Sequence, residues 1–333
     1  MITIHKAILH ILDFQSGLTV FSEEELDLGS DSIFTFLTKH LERASQDQQA
    51  QPGEFYPESS FLIQVQDYFT EQLDFVEFSR HIAELLYKAL SQSDALVSTD
   101  LLVCDAALDD ARFLAILLCN NRVGFTHQVN QAEGKVRNEI IHHYAILPGL
   151  SQKIDEYALI SVDPLAIRLV EKKRSMNGQE ALALSEQVLQ CSTKISPQET
   201  VKLVSTIAKT VAENHGESAV AAVSRAKSFM VENTELSDYL DPSDLSREIF
   251  PMSPMLQAEY LKEVQEAGIT EKVKLDKEFT VKKGRNHKIK TDTGIELSFP
   301  VDYFDSKEFI EFINNPDGTI SISLKNIGKI VNK

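Results

Sequence analysis

The chain has three cysteines in 333 residues, Cys104, Cys119 and Cys191, and no two of them form a CxxC pair. So sparse and odd a set implies no disulfide framework and fits reduced, buried thiols in a cytosolic protein. Closely spaced glycines are missing as well: neither GxxxxGK[ST] nor GxGxxG occurs. The backbone therefore has no glycine cradle for a nucleotide phosphate, which argues against hydrolysis through a P-loop. The nucleophile elbow GxSxG and the zincin HExxH are also absent. No stretch reaches the roughly 18 uninterrupted apolar residues of a membrane helix. The opening MITIHKAILHILDFQSG threads His5, Lys6, His10 and Asp13 through its apolar residues, so it contains no signal-peptide core. These absences predict a soluble, cytoplasmic protein with no membrane partner and no cofactor.

What is present is acid. Lys and Arg number 33 against 50 Asp and Glu, a formal charge of -17. That balance argues against binding nucleic acid over the whole surface, as small, uniformly basic proteins do. One segment reverses the sign. Between Lys272 and Lys290 stand Lys272, Lys274, Lys277, Lys282, Lys283, Arg285, Lys288 and Lys290, opposed only by Asp276 and Glu278. The segment carries +6 and the remainder -23. Charges separated by more than about 8–10 Å are largely screened at physiological salt, so such a cluster acts locally on a polyanion. Lysines also serve to keep an exposed sheet edge from pairing with other molecules.

Composition is otherwise that of a globular protein, 43% apolar and 25% charged, and the length exceeds what one core usually supports. Periodicity predicts an α+β fold of antiparallel sheets with flanking helices, in two domains. The first, residues 1–176, opens with a strand and continues with helices around Phe34, Leu37, Leu41 and Ala44 and after Asp74. In the latter helix Phe75, Phe78, Ile82, Leu85, Leu86 and Ala89 share one face. From Asp100 to about Lys172, short strands separated by Asp109-Asp110, Asn120-Asn121 and Asp163-Pro164 predict an antiparallel meander. Phe113 to Leu118 reads as a central strand covered on both faces. The second domain, 177–333, begins with helices over about 180–265, with Ser196-Pro197-Gln198-Glu199 a strong helix start. A basic β-hairpin region over 272–333 follows, in which Lys282 to Lys290 is the first arm, turning at Asp292-Thr293-Gly294. A second hairpin turns at Pro316-Asp317-Gly318. A two-stranded ribbon can enter a DNA groove or follow phosphates.

Candidates for catalysis are few. His142 and His143 are adjacent, so on a strand they point to opposite faces and cannot share one ion. Asp109-Asp110 reads as turn chemistry, and the run Glu23, Glu24, Glu25, Asp27 as a solvated loop, rather than as carboxylates for a divalent cation. No metal site is predicted. The cysteines read as small buried apolar residues, since spacing identifies no partner base.

The blocks IHKAILHILD, RFLAILLCNN at 112–121, ISPQETVKLV and FPVDYFDSKEFIEFINNPDGTISISLKNIGKI together resemble the bacterial 37 kDa nucleoid-associated (NdpA) family over essentially the whole chain. None of them is a catalytic signature. The resemblance implies association with the nucleoid in the cytoplasm, binding to DNA including the double-stranded form, and no enzymatic activity. It supplies no contact residues, so the eight cations above are chosen by charge alone. The leading expectation is thus a non-enzymatic DNA-binding protein contacting phosphates without sequence specificity. The alternative is an acidic adaptor that binds other proteins and reaches the nucleoid through a partner. A metal-dependent nuclease stands third. A homodimer would double the basic patch and raise avidity.

Overall fold

The computed structural model describes every residue except 133–134, 285, 301–302, 304–307, 316–318 and 330–333. The chain divides into two compact units, Met1–Lys194 and Ile195–Lys333. In the first, β1 (Ile2–Asp13), β2 (Leu18–Val20), α1 (Asp31–Ser45), β3 (Gln51–Phe55), α2 (Ser60–Phe69) and α3 (Phe75–Leu90) precede the strand-rich part. There follow β4 (Thr99–Leu108), β5 (Ala111–Asn120), β6 (Arg122–Ala132), β7 (Lys135–Ile146), β8 (Glu156–Val162) and β9 (Leu165–Val170). The hairpin β10 (Lys173–Met176) and β11 (Gln179–Leu182), a π-helical segment Ala183–Leu189 and β12 (Cys191–Thr193) complete the unit.

Eight of these strands form one antiparallel sheet in the order β12-β3-β9-β8-β5-β4-β1-β2. Strand β5 is central because Phe113 to Cys119 is apolar throughout and fully buried, so both of its faces need cover. Leu114, Ile116 and Leu118 pack under α2, α3 and the π-helical segment. Phe113, Ala115, Leu117 and Cys119 pack on the opposite side, with Leu37, Leu41 and Ala44 of α1. Each such buried Leu or Ile contributes about 1.5–3 kcal/mol. Phe34, expected on the buried face of α1, is 40% exposed, and His40 lies buried on that helix instead. In β1 a bulge between Ile4 and Lys6 shifts the alternation, so that Ile2, Ile4 and Ala7 face one layer while Ile8 and Leu12 face the other.

The expected meander is interrupted. β5 pairs with β8, not with β6, and β6 and β7 leave the sheet as a separate two-stranded ribbon. Short connections do produce antiparallel neighbours here, but the ribbon is an insertion between two strands that pair with each other.

Two carboxylates enter the core of this unit with arginine partners, while a third, Asp100, is buried without an ion pair among the described residues, and burial raises its pKa to about 6. Asp105 accepts from the Tyr68 hydroxyl and from Arg112, Nε at 3.0 Å and Nη2 at 2.6 Å. Glu156 accepts both terminal nitrogens of Arg174 at 2.6 Å, tying β10 to the sheet. Removing one partner of such a pair strands a buried charge, which costs about 3–5 kcal/mol.

The second unit contains α4 (Pro197–Asn214), α5 (Ala219–Leu236), β13 (Tyr239–Leu240), α6 (Pro242–Ile249), α7 (Pro254–Glu266), β14 (Val273–Lys274) and α8 (Lys277–Gly284). Two hairpins follow, β15 (Asn286–Lys290) with β16 (Glu296–Pro300) and β17 (Ile310–Asn314) with β18 (Ile320–Leu324). The Ser196-Glu199 capping box forms at the start of α4, each residue's side chain accepting from the other's backbone N–H at 3.2 Å. Val204, Ala208 and Val211 of α4 meet Ala226 and Met230 of α5, Ile249 of α6 and Tyr260 of α7 in one core.

Two predictions follow from burial. His10 is fully buried; its Nδ1 accepts the Ser22 backbone N–H at 3.1 Å, leaving Nε2 to face the Ser79 hydroxyl at 3.2 Å. Burial, reinforced by the Arg80 charge, lowers its pKa from 6.5 to about 4. The unfolded chain therefore takes up this proton first. The stability His10 contributes is complete above about pH 6.5 and is lost as pH falls through about 4, up to about 3 kcal/mol. Urea denaturation followed by circular dichroism should show that loss, and His10→Gln should flatten it; identical pH profiles would refute it. The three cysteines are buried and free, and burial pushes the Cys119 and Cys191 thiols up to about 12 and that of Cys104 higher still. Iodoacetamide at pH 8 should label none of them in the native protein and all three in denaturant, as read by mass spectrometry.

Candidate nucleic-acid interface

The acidity of the chain is unevenly shared. Residues 1–194 hold 15 basic against 28 acidic side chains, a charge of -13, whereas residues 195–333 hold 18 against 22, a charge of -4. A polyanion therefore meets much less repulsion at the second unit.

The basic segment runs through β14, α8 and β15. Lys282 and Lys283 were expected in the first arm of a hairpin but form the last turn of α8. The helix is explained by its packing. Thr280 is 1% exposed, and Gly284 approaches α5 so closely that a Cβ there would lie 2.2 Å from Val231 Cγ2. The hairpin itself starts at Asn286. Lys288 lies opposite Ser298 and Lys290 opposite Glu296, and Gly294 supplies the left-handed backbone of the turn at φ 90°.

The eight predicted cations fall into three groups. Lys272 pairs with Asp241 at 3.4 Å, Lys277 with Asp238 at 3.1 Å and Lys290 with Glu296 at 3.1 Å. All three pairs are at the surface, where an ion pair is worth about 0–1 kcal/mol and yields readily to a competing anion. Lys274, Lys282, Lys283 and Lys288 are exposed and form no ion pair among the described residues. Arg285 lies outside the described residues.

Folding adds two cations that the run of basic residues did not include. Lys202 of α4 and Lys227 of α5 line the same cavity of about 340 Å³ as Lys283. They lie far from the segment in sequence, Lys202 between Val201 and Leu203 and Lys227 between Ala226 and Ser228, so only the packing of three helices reveals the group.

The remaining candidates lie elsewhere. Asp109 and Asp110 form the β4–β5 turn with left-handed φ of 47° and 70°, and Asp109 pairs with the chain's amino terminus. In the acidic run, Glu23 faces Arg80 at 3.6 Å and Glu25 faces Lys6 at 3.9 Å. His142 stacks on Phe125, ring centroids 4.6 Å apart, while His143 lies at the next position of β7, opposite Gly124. No group of three His, Cys, Asp or Glu among the described residues is disposed to hold a metal ion.

The β6–β7 ribbon is a second surface feature, which charge alone does not reveal. Its register places Phe125, Val129, Val136, Ile140 and Tyr144 on one face, all at least 60% exposed, with Ile140 at 81%. Among the described residues that face carries no Asp, Glu, Lys or Arg; the other face holds Arg137 and Glu139, paired at 3.1 Å.

No helix among the described residues is long and apolar enough to cross a membrane. No curated protein matches the chain significantly. A family model described as nucleoid-associated protein YejK matches residues 8–331, spanning both compact units and agreeing with the resemblance seen in the sequence blocks. With that span covered, the chain belongs to the nucleoid-associated protein YejK family.

Proposed function

We propose that the protein is a non-enzymatic, nucleoid-associated DNA-binding protein of the cytoplasm, contacting the phosphate backbone of double-stranded DNA through the basic segment of its second unit. The observation that carries this reading is the set of four exposed lysines without carboxylate partners among the described residues, Lys274, Lys282, Lys283 and Lys288, in the less acidic unit. Lysines act as compact point charges, which suits phosphate contact without sequence selection. Four to six neutralised phosphates correspond to a slope of log K against log salt of about -4 to -5. Fluorescence anisotropy on a short labelled duplex should give such a slope. Lys282→Glu, Lys283→Glu and Lys288→Glu together should abolish retention at moderate salt while circular dichroism stays unchanged. Undiminished binding by the folded triple variant would rule out this assignment.

The β6–β7 ribbon supports a second reading, in which the protein acts through protein contacts. Aromatic enrichment and depletion of charge mark the cores of protein interfaces, whereas a face without cations has nothing to attract phosphate. A lone two-stranded ribbon is also marginally stable in water, so a covering surface would stabilise it. The occupant this reading favours is a second copy. Two chains of -17 repel each other, and the uncharged face is where they can meet without opposing like charges. Strands of 11 and 12 residues make a face about 35–40 Å long, suited to face-to-face packing about a two-fold axis. Such a dimer would present two basic segments to one duplex. Sedimentation of the full chain should show a dimer that Val129→Asp with Ile140→Asp converts to monomer. A wild-type monomer would leave the ribbon to a different protein and favour the adaptor role.

A further inference from the structure

The cavity between α4, α5 and α8 combines features that no DNA-tracking surface requires. Its walls are Val201, Met230 and Phe279, and its charged lining is Lys202, Lys227 and Lys283, with no carboxylate among the lining residues. The three lysines come from three helices, so the grouping is a product of the fold. Among the described residues none of them forms an ion pair. Lys227 is half-buried, and burial lowers its pKa, with the nearby charge of Lys283 adding to the effect. An ammonium group held there without a counter-ion loses hydration and gains nothing in return.

A second, independent feature lies in the same cavity. Thr280 lines it, is 1% exposed, and its hydroxyl has no hydrogen-bond partner among the described residues. Buried hydroxyls are nearly always partnered, so an orphan one beside unpaired ammonium groups marks a place where an oxygen-rich anion would complete the polar contacts. The apolar walls and a volume of about 340 Å³ exceed what a bare ion fills and lie at the small end of the range for organic ligands.

We infer that this cavity binds a phosphate ester of about mononucleotide size, its phosphate held by Lys202, Lys227, Lys283 and the Thr280 hydroxyl and its body against Val201, Met230 and Phe279. Lys202 and Lys227 lie outside the basic segment, so the inference does not rest on the DNA reading. The phosphate can come from a free nucleotide or from the backbone of a bound nucleic acid, and the chemistry at the cavity is the same.

The test uses the full chain and adenosine 5′-monophosphate as probe, with inorganic phosphate and chloride as controls at constant ionic strength. Calorimetric titration should show the nucleotide binding at least tenfold more tightly than inorganic phosphate, because only the ester covers the apolar walls. Lys227→Met, which keeps the length of the side chain and removes the charge, should weaken nucleotide binding about tenfold or more. Thr280→Val should weaken it by a smaller factor, and Lys202→Met, at an exposed position, guards against a folding defect in the Lys227 variant. Displacement of a labelled duplex by the nucleotide would identify the backbone as the source of the phosphate. Simultaneous binding of both would identify a free ester. Equal affinity for nucleotide and phosphate, heats no larger than those of chloride, or unaltered binding by folded Lys227→Met would overturn the inference.

Discussion

The first unit depends on one strand that cannot be left uncovered. From Phe113 to Cys119, β5 offers apolar side chains to both faces of the sheet, so a layer is required on each. α2, α3 and the π-helical segment provide one and α1 the other, and β4 and β8 flank β5 in the sheet with the same double burial. Two of the carboxylates drawn into this interior, Asp105 and Glu156, are held by Arg112 and Arg174 in two-point contacts. The result is an acidic unit built on one sheet that is covered on both faces. It has the character of a scaffold, and its outward feature is the β6–β7 ribbon.

The second unit handles charge differently. Its helices share an ordinary apolar core, but Lys274, Lys282, Lys283 and Lys288, and Lys202 and Lys227 around the cavity beside α5, form no ion pair among the described residues. Leaving such groups unpaired at the surface costs little, because water solvates them. Leaving Lys227 unpaired in a half-buried position costs more, which is why that site points to a ligand. Of the overall charge of -17, the first unit carries -13 and the second -4, so the proposed interface lies on the less acidic unit.

Much of this was readable from residue order. The α+β class, the double burial of Phe113 to Leu118, the capping box at Ser196 and the turn of the β15–β16 hairpin follow from local periodicity and turn chemistry, which tertiary contacts here reinforce. What escaped depends on contacts between distant residues. α8 is a helix because Thr280 and Gly284 fit against α5, and no local signal outweighs the strand-like Lys288-Ile289-Lys290 beside it. The departure of β6 from the sheet is invisible in an alternating pattern, since alternation is the same for a ribbon and for a sheet edge. α2 is short and was not anticipated, being fixed by the cap from Ser59 and by burial of Phe61 and Val65. The cation group of Lys202, Lys227 and Lys283 joins residues of three helices, and charge clustering along the chain registers only the last of them.

The central claim is where the nucleic acid lies on the protein, and lysine acetylation footprinting tests it directly. The full chain is briefly acetylated with and without a saturating duplex, and modification is quantified by mass spectrometry residue by residue. Protection should concentrate at Lys274, Lys282, Lys283 and Lys288, while Lys39, Lys88 and Lys153 of the first unit stay as reactive as in the free protein. Protection confined to the first unit, or none at all under conditions where the duplex is bound, would contradict the account.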